Sequence, residues 1–133
     1  MLDKDKKSLK QDVHRLKKSF DYAVKGMKEV FEREQNIKIQ LVLTLVVIFY
    51  GFFLHIGGVE FALLLLAMSQ VLSLEVLNTA FEIYLDERER EQNGTIAVIK
   101  DILAASVLVS AIFAIAIGLI IFLVPTLKLL GLN

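Results

Sequence analysis

Two stretches of this 133-residue chain, residues 39–59 and 102–127, contain no Asp, Glu, Lys or Arg. A helix needs roughly 20 apolar residues to cross the hydrocarbon core of a bilayer, and each stretch exceeds that. Between them residues 61–74 are again uncharged and run on into "SLEVLNTAFEIYLD", residues 73–86. A soluble fold of this size would leave much of that surface exposed, because 56% of the residues are hydrophobic. The pattern predicts an all-α integral membrane protein of one domain, residues 1–133, with transmembrane helices over about 37–56, 59–86 and 96–124.

Net charge is formally zero, yet eleven of the fifteen basic residues stand at or before Lys38. The segment "HIGGVE" after the first span carries no Lys or Arg, and the segment after the second carries Arg88, Arg90 and Lys100. Lys and Arg accumulate on the cytoplasmic side, so the N-terminus and the 86–101 connection are expected inside and the C-terminus outside. A removable signal peptide is not expected, since the chain stays charged for nearly forty residues before any apolar run. Cysteine is absent, which excludes disulfides and thiolate metal sites.

Before the first span, Leu9, Val13, Leu16, Phe20, Val24, Met27 and Phe31 recur at steps of three and four. That is one face of a helix over about 8–34, with Lys and Arg on most of the remaining circumference. Such a helix attached to a membrane domain is expected to lie on the cytoplasmic leaflet, its lysines toward anionic headgroups. The alternative is packing on a soluble partner or on its own spans. Gly57-Gly58 marks a tight outer turn, "DERERE" (86–91) a solvated helix end broken by "QNG", and Pro125 the end of the third span.

In the second span Glu75, Asn78, Glu82 and Asp86 follow one another at steps of three, four and four. At about 100° per residue they form one stripe, with Glu75 and Glu82 about 10 Å apart along the axis. Ionisable groups inside a membrane cost a few kcal/mol and mark functional sites more often than bundle contacts. Two functional readings are open: a path through the bundle, or a site at the cytoplasmic interface. A path needs polar groups in the outer half, which offers only Ser69, Gln70 and Ser73, so a site is favoured. Lys100 and Asp101 open the third span, where a lysine gives a point charge for phosphate. The glutamates, with Glu34 at the end of the N-terminal helix, are hard oxygen ligands suited to Mg²⁺. No GxxxxGK[ST] and no GxGxxG occurs, which excludes the standard nucleotide folds, and His14 and His55 stand alone.

With these residues in view, "EVLNTAFEIYLD" resembles the E-x-x-N-[ST]-A-x-E-x-x-x-D signature of the prokaryotic membrane diacylglycerol and undecaprenol kinases. "SFDYAVKGMKEVFEREQNIKIQ" and "IKDILAASVLVSAIFAIAIGLIIFL" resemble that family's N-terminal segment and third helix. The resemblance runs from about Arg15 to Pro125. It implies that Glu75 is the catalytic base and that Glu82 and Glu34 hold the divalent metal against ATP. It implies further that Asn78 stands beside the base, that Lys100, Asp101, Tyr22 and Asp86 attend the nucleotide, and that Arg15 faces lipid substrate. A homotrimer with active sites shared between subunits is also implied. The chain departs from the family at Lys38 and Gln40, and in "GTIAVIKD" (94–101), which precedes and includes the Lys-Asp pair.

The expected activity is ATP- and Mg²⁺-dependent phosphorylation of a lipid hydroxyl at the cytoplasmic interface of a bacterial cell membrane. The N-terminal segment leans toward undecaprenol over diacylglycerol as substrate. The expected partners are lipid, ATP and further copies of the chain, with no nucleic acid. A diacylglycerol kinase is the near alternative; an oligomeric ion or solute conduit and a catalytically dead scaffold are the alternatives of another class.

Overall fold

The computed structural model describes residues 2–88 and 94–132, and every regular element among them is an α-helix. The order is α1 (Leu2–Arg33), α2 (Gln35–Phe53), α3 (Gly58–Arg88) and α4 (Gly94–Leu129). Most of the "DERERE" and "QNG" segment, residues 89–93, lies outside the described residues. The chain divides between Arg33 and Glu34 into two compact units.

The first unit is α1. Val13, Leu16, Phe20, Val24, Met27 and Phe31 all remain accessible along it. Elsewhere on the helix, residues four apart pair: Arg33 Nε to Glu29 at 2.6 Å, and Lys28 to Glu32 at 3.6 Å. Exposed pairs of this kind add only a few tenths of a kcal/mol each, ~0.3–0.5, so the length of α1 owes more to its run of good helix formers. Only Glu34, with extended backbone (φ −103°, ψ 123°), separates it from α2.

The second unit holds three helices that are long and apolar enough to cross a membrane. At 1.5 Å per residue, α2 measures about 28 Å, close to the thickness of a hydrocarbon core, whereas α3 and α4 reach about 46 and 54 Å. α2 and α3 form an antiparallel hairpin, and Gln40, Leu43 and Val47 of α2 line one apolar groove together with Leu64, Met68 and Val71 of α3. Counting back from their shared turn, with Phe53 opposite Gly58, the start of α2 at Gln35 falls about level with Val76. The stretch of α3 beyond Val76 therefore projects past the slab that α2 spans.

The hairpin turn differs from its expected form. α2 ends at Phe53 rather than near residue 56, and the residue in left-handed conformation is His55 (φ 52°), not a glycine. His55 N–H donates to Phe52 O and Ile56 N–H to Gly51 O, which is the Schellman closure of a helix end. Gly51 permits the fold-back, since a Cβ there would lie 3.0 Å from Ile56 Cδ1 and 3.4 Å from the Phe61 ring. The Phe52 and Phe61 rings then meet at 4.9 Å. Over Gly57 the Glu60 carboxylate folds back in the first turn of α3, and a Cβ there would displace only the end of that flexible side chain. A non-glycine residue in the left-handed region costs roughly 1 kcal/mol. His55→Gly is therefore expected to stabilise the protein by about 0.5–1 kcal/mol, a rise of a few degrees in the thermal midpoint in detergent. A fall would mean that the 3.0 Å contact of His55 Nδ1 with Phe53 O outweighs the strain.

α4 corrects a second expectation. It does not stop at Pro125 but passes through it to Leu129. Proline removes one helical donor, a loss that neighbouring groups compensate in apolar helices. The stop comes at Gly131 (φ 67°), where Gly131 N–H donates to Lys128 O and Leu132 N–H to Leu127 O, a second Schellman closure. Near this end Tyr50 of α2 hydrogen-bonds Thr126 of α4 at 2.9 Å, and its ring lies 5.0 Å from Phe122. This contact ties α2 to α4 beside the hairpin turn. An interhelical bond in apolar surroundings is worth about 0.6–1.7 kcal/mol.

Candidate active site

Among the described residues few side chains are buried, and three of those that are carry polar groups on α3. Along α3 the buried positions are Leu64, Val71, Glu75, Asn78, Thr79 and Leu85, at spacings that keep them on one side of the helix. That side is apolar near the hairpin turn and becomes polar from Glu75 onward. Glu75 is only 3% exposed, so its carboxylate is withdrawn from solvent close to the level where α2 begins. An ionisable group so placed costs roughly 2.5–3.5 kcal/mol at mid-membrane, falling toward the interface. The helix tolerates that burden without any packing benefit a leucine would not exceed, and that asymmetry is the physical argument for a functional role.

The amide of Asn78 organises the next turn. Its Nδ2 donates to Glu82 Oε1 at 2.9 Å, and its Oδ1 is buried with no hydrogen-bond partner. A buried acceptor left unpaired costs about 1–3 kcal/mol unless something is bound to it. Thr79, 1% exposed, donates from Oγ1 to the Glu75 carbonyl at 3.0 Å, a bond back along the helix. Thr79 is a site-lining residue that sequence reasoning passed over, although it fills the [ST] position of the signature. Its signal was its place four residues after Glu75.

At the far end of the stripe Asp86 Oδ1 accepts a hydrogen bond from Lys100 Nζ at 2.5 Å, joining the end of α3 to the start of α4. Asp101 beside it is exposed. Glu34 is half-buried at the N-cap of α2 and makes no side-chain cap bond to its own helix. By the same count along the hairpin it stands about level with Leu77, next to Asn78. Arg15 and Tyr22 belong to the N-terminal unit, where both are exposed and the Lys18 ammonium lies 5.8 Å from the Tyr22 ring centre. The structure thus joins Asn78 with Glu82 and Asp86 with Lys100.

Two apolar grooves flank α3 and stop short of Glu75, one at Leu74 and the other at Leu72. One, of about 690 Å³, lies between α3 and α4 and ends at Leu74 and Ile102. The other, of about 850 Å³, lies among α2, α3 and α4, with Gln40 and Leu72 at that end. Their walls suit hydrocarbon, and the first buried carboxylate stands just beyond their ends.

No three His, Asp or Glu side chains gather as a metal cage among the described residues. A Mg²⁺ carried by a nucleotide does not need one, being held through one or two carboxylates and the phosphates themselves. The donor set fits that mode: Glu82 keeps a second carboxylate oxygen beyond the one bonded to Asn78, and Asn78 Oδ1 is an unclaimed hard oxygen beside it.

These features define a small multi-helix membrane protein with an acidic, amide-braced site at one end of its bundle and hydrocarbon-lined grooves leading to it. A family model described as prokaryotic diacylglycerol kinase matches residues 21–122. The chain belongs to that family and is a lipid kinase. It is 31% identical over 119 residues to the undecaprenol kinase of Bacillus subtilis (strain 168), which covers 90% of this chain and 97% of that protein. It is 34% identical over 113 residues to the diacylglycerol kinase of a Synechocystis species, which covers 84% of this chain and 65% of that protein. The resemblance read from "EVLNTAFEIYLD" is borne out, and the signature lies inside the matched stretch. Arg15 lies before it. Three apolar helices and this membership fit a multi-pass bacterial membrane protein.

Proposed function

We propose that the protein transfers the γ-phosphoryl group of ATP to the hydroxyl of a membrane lipid at the cytoplasmic interface, with undecaprenol favoured over diacylglycerol. One observation carries the reading: a carboxylate 3% exposed stands one helical turn from the Asn78–Glu82 bond, just beyond the ends of two apolar grooves. A lipid whose chain stays in hydrocarbon presents its hydroxyl at that level. Glu75 accepts the hydroxyl proton as the oxygen bonds to phosphorus, and the bond from phosphorus to the β–γ bridging oxygen breaks, with ADP leaving.

Glu82 and Glu34, with Asn78 Oδ1, are the groups that would hold Mg²⁺. When bound, the ion supplies charge neutralisation across the phosphate oxygens. Lys100 offsets the charge that develops on the phosphoryl group, Asp101 and Tyr22 attend the nucleotide, and Arg15 faces the lipid. α1 lies on the cytoplasmic leaflet with Val13, Phe20 and Met27 toward the acyl chains, and its lysines hold it to anionic headgroups. The N-terminus is cytoplasmic and the C-terminus outside. The protein works as a homotrimer, the assembly that its family resemblance implies.

A conduit is disfavoured by two hydroxyls of the spans, Ser69 in the outer half of α3 and Ser106 near the inner end of α4. Ser69 donates to Leu66 O at 2.8 Å and Ser106 to Leu103 O at 2.6 Å, so both are turned onto their own helices rather than along a path. The deciding experiment follows radiolabelled phosphate from ATP to undecaprenol and to diacylglycerol, side by side in mixed micelles. Faster labelling of undecaprenol is expected. Faster labelling of diacylglycerol would reverse the preference, and labelling of neither would end the proposal.

A further inference from the structure

The contact between Asp86 and Lys100 is the feature the mechanism above leaves unused. Lys100 is the group that should meet phosphate, yet its ammonium donates to a carboxylate at 2.5 Å. The two partners differ in their surroundings. The Lys100 side chain is 29% exposed and that of Asp86 62% exposed, so the cation sits in the enclosed half of the pair and the anion in the wet half. Asp86 lies four residues beyond Glu82, about 6 Å along the α3 axis and on the same stripe. Lys100 is therefore held one turn away from the carboxylate assigned to metal and phosphate.

We infer that Asp86 is a positioning residue that holds Lys100 beside the stripe and yields it to the polyphosphate when nucleotide arrives. Exchange is physically easy in this setting. An ion pair so open to water is weakly held and screened by salt. A triphosphate offers several anionic oxygens to the same point charge, and lysine's three rotatable donors can change partner without moving the helix. The carboxylate left behind keeps its charge near the phosphates and opposes their binding. Asp86 thus sets the affinity for nucleoside triphosphate by competing for Lys100, and does not serve as a ligand of the nucleotide.

This inference rests on the nucleotide reading of the site, and the test separates the two. The full chain is placed in lipid nanodiscs and titrated with a fluorescent trinitrophenyl-ATP. Four forms are compared: wild type, Asp86→Asn, Lys100→Met and the double variant, with Glu87→Gln as a control for charge alone. Asp86→Asn should tighten binding about two- to fivefold, the range set by an exposed ion pair. Lys100→Met should weaken binding, and adding Asp86→Asn to it should change nothing further. Glu87→Gln should have a smaller effect than Asp86→Asn. If Asp86→Asn weakens binding or leaves it unchanged while Lys100→Met weakens it, the exchange is overturned and the nucleotide reading stands. Equal tightening by Asp86→Asn with and without the Lys100 ammonium would reduce the effect to general repulsion and also overturn it. No binding by wild type, or none lost in Lys100→Met, would overturn the nucleotide reading and this inference together.

Discussion

Glu75→Gln is expected to remove at least about a hundredfold of the lipid phosphorylation rate while leaving ATP binding within a factor of a few of wild type. Glutamine matches glutamate in shape, so the packing that leaves residue 75 only 3% exposed is preserved. What the amide lacks is a basic oxygen able to take a proton from an alcohol, and an alcohol is a weak nucleophile while it keeps that proton. Folding should not suffer, because the substitution removes the desolvation cost of a buried charge. A gain of thermal stability with loss of turnover is the signature of a carboxylate kept for chemistry. The measurement is single-turnover phosphate transfer in reconstituted bilayers, with nucleotide binding followed in parallel. Wild-type transfer by the variant would remove Glu75 from the proton step. Transfer and binding lost together would move it to the nucleotide side of the site.

The three spans were legible because a missing charge over twenty residues has one explanation in an apolar chain, whatever the neighbours are. The stripe on α3 was legible for a related reason: helix geometry alone aligns Glu75, Asn78, Glu82 and Asp86, and the family membership followed from those same residues. What escaped were features set by contact. Nothing in "FFLHIGGVE" says that the left-handed residue is His55 rather than Gly57. That choice depends on Gly51 admitting Ile56 and Phe61 against α2. Pro125 read as a stop because proline costs a hydrogen bond, but in a helix this apolar the cost of one donor is smaller than that of ending the helix early. The bond from Asn78 to Glu82 is a local i,i+4 contact and was within reach of the sequence. The pairing of Asp86 with Lys100 was not, because it joins two helices fourteen residues apart in the chain.

Glu82→Gln should separate the two halves of the stripe, with nucleotide affinity failing where Glu75→Gln spares it. A glutamine at 82 still offers an oxygen to Asn78 Nδ2, so the 2.9 Å bond and the helical turn it braces are retained. The anionic charge is lost, and Mg²⁺ prefers charged, hard oxygen ligands over neutral amides. The expected result is a rise of roughly ten- to a hundredfold in the metal concentration needed for half-maximal transfer, the scale seen when groups around a bound metal are altered. Glu82→Asp makes the converse change: it keeps the charge but draws it back from Asn78, and should fall between the two. Titrating Mn²⁺ into each variant by electron paramagnetic resonance, with ATP present, measures the metal directly and does not depend on turnover. Wild-type Mn²⁺ affinity in Glu82→Gln would move the metal to other oxygens. A large loss in Glu82→Asp with little in Glu82→Gln would show that the hydrogen bond from Asn78, not the charge, is what the site requires.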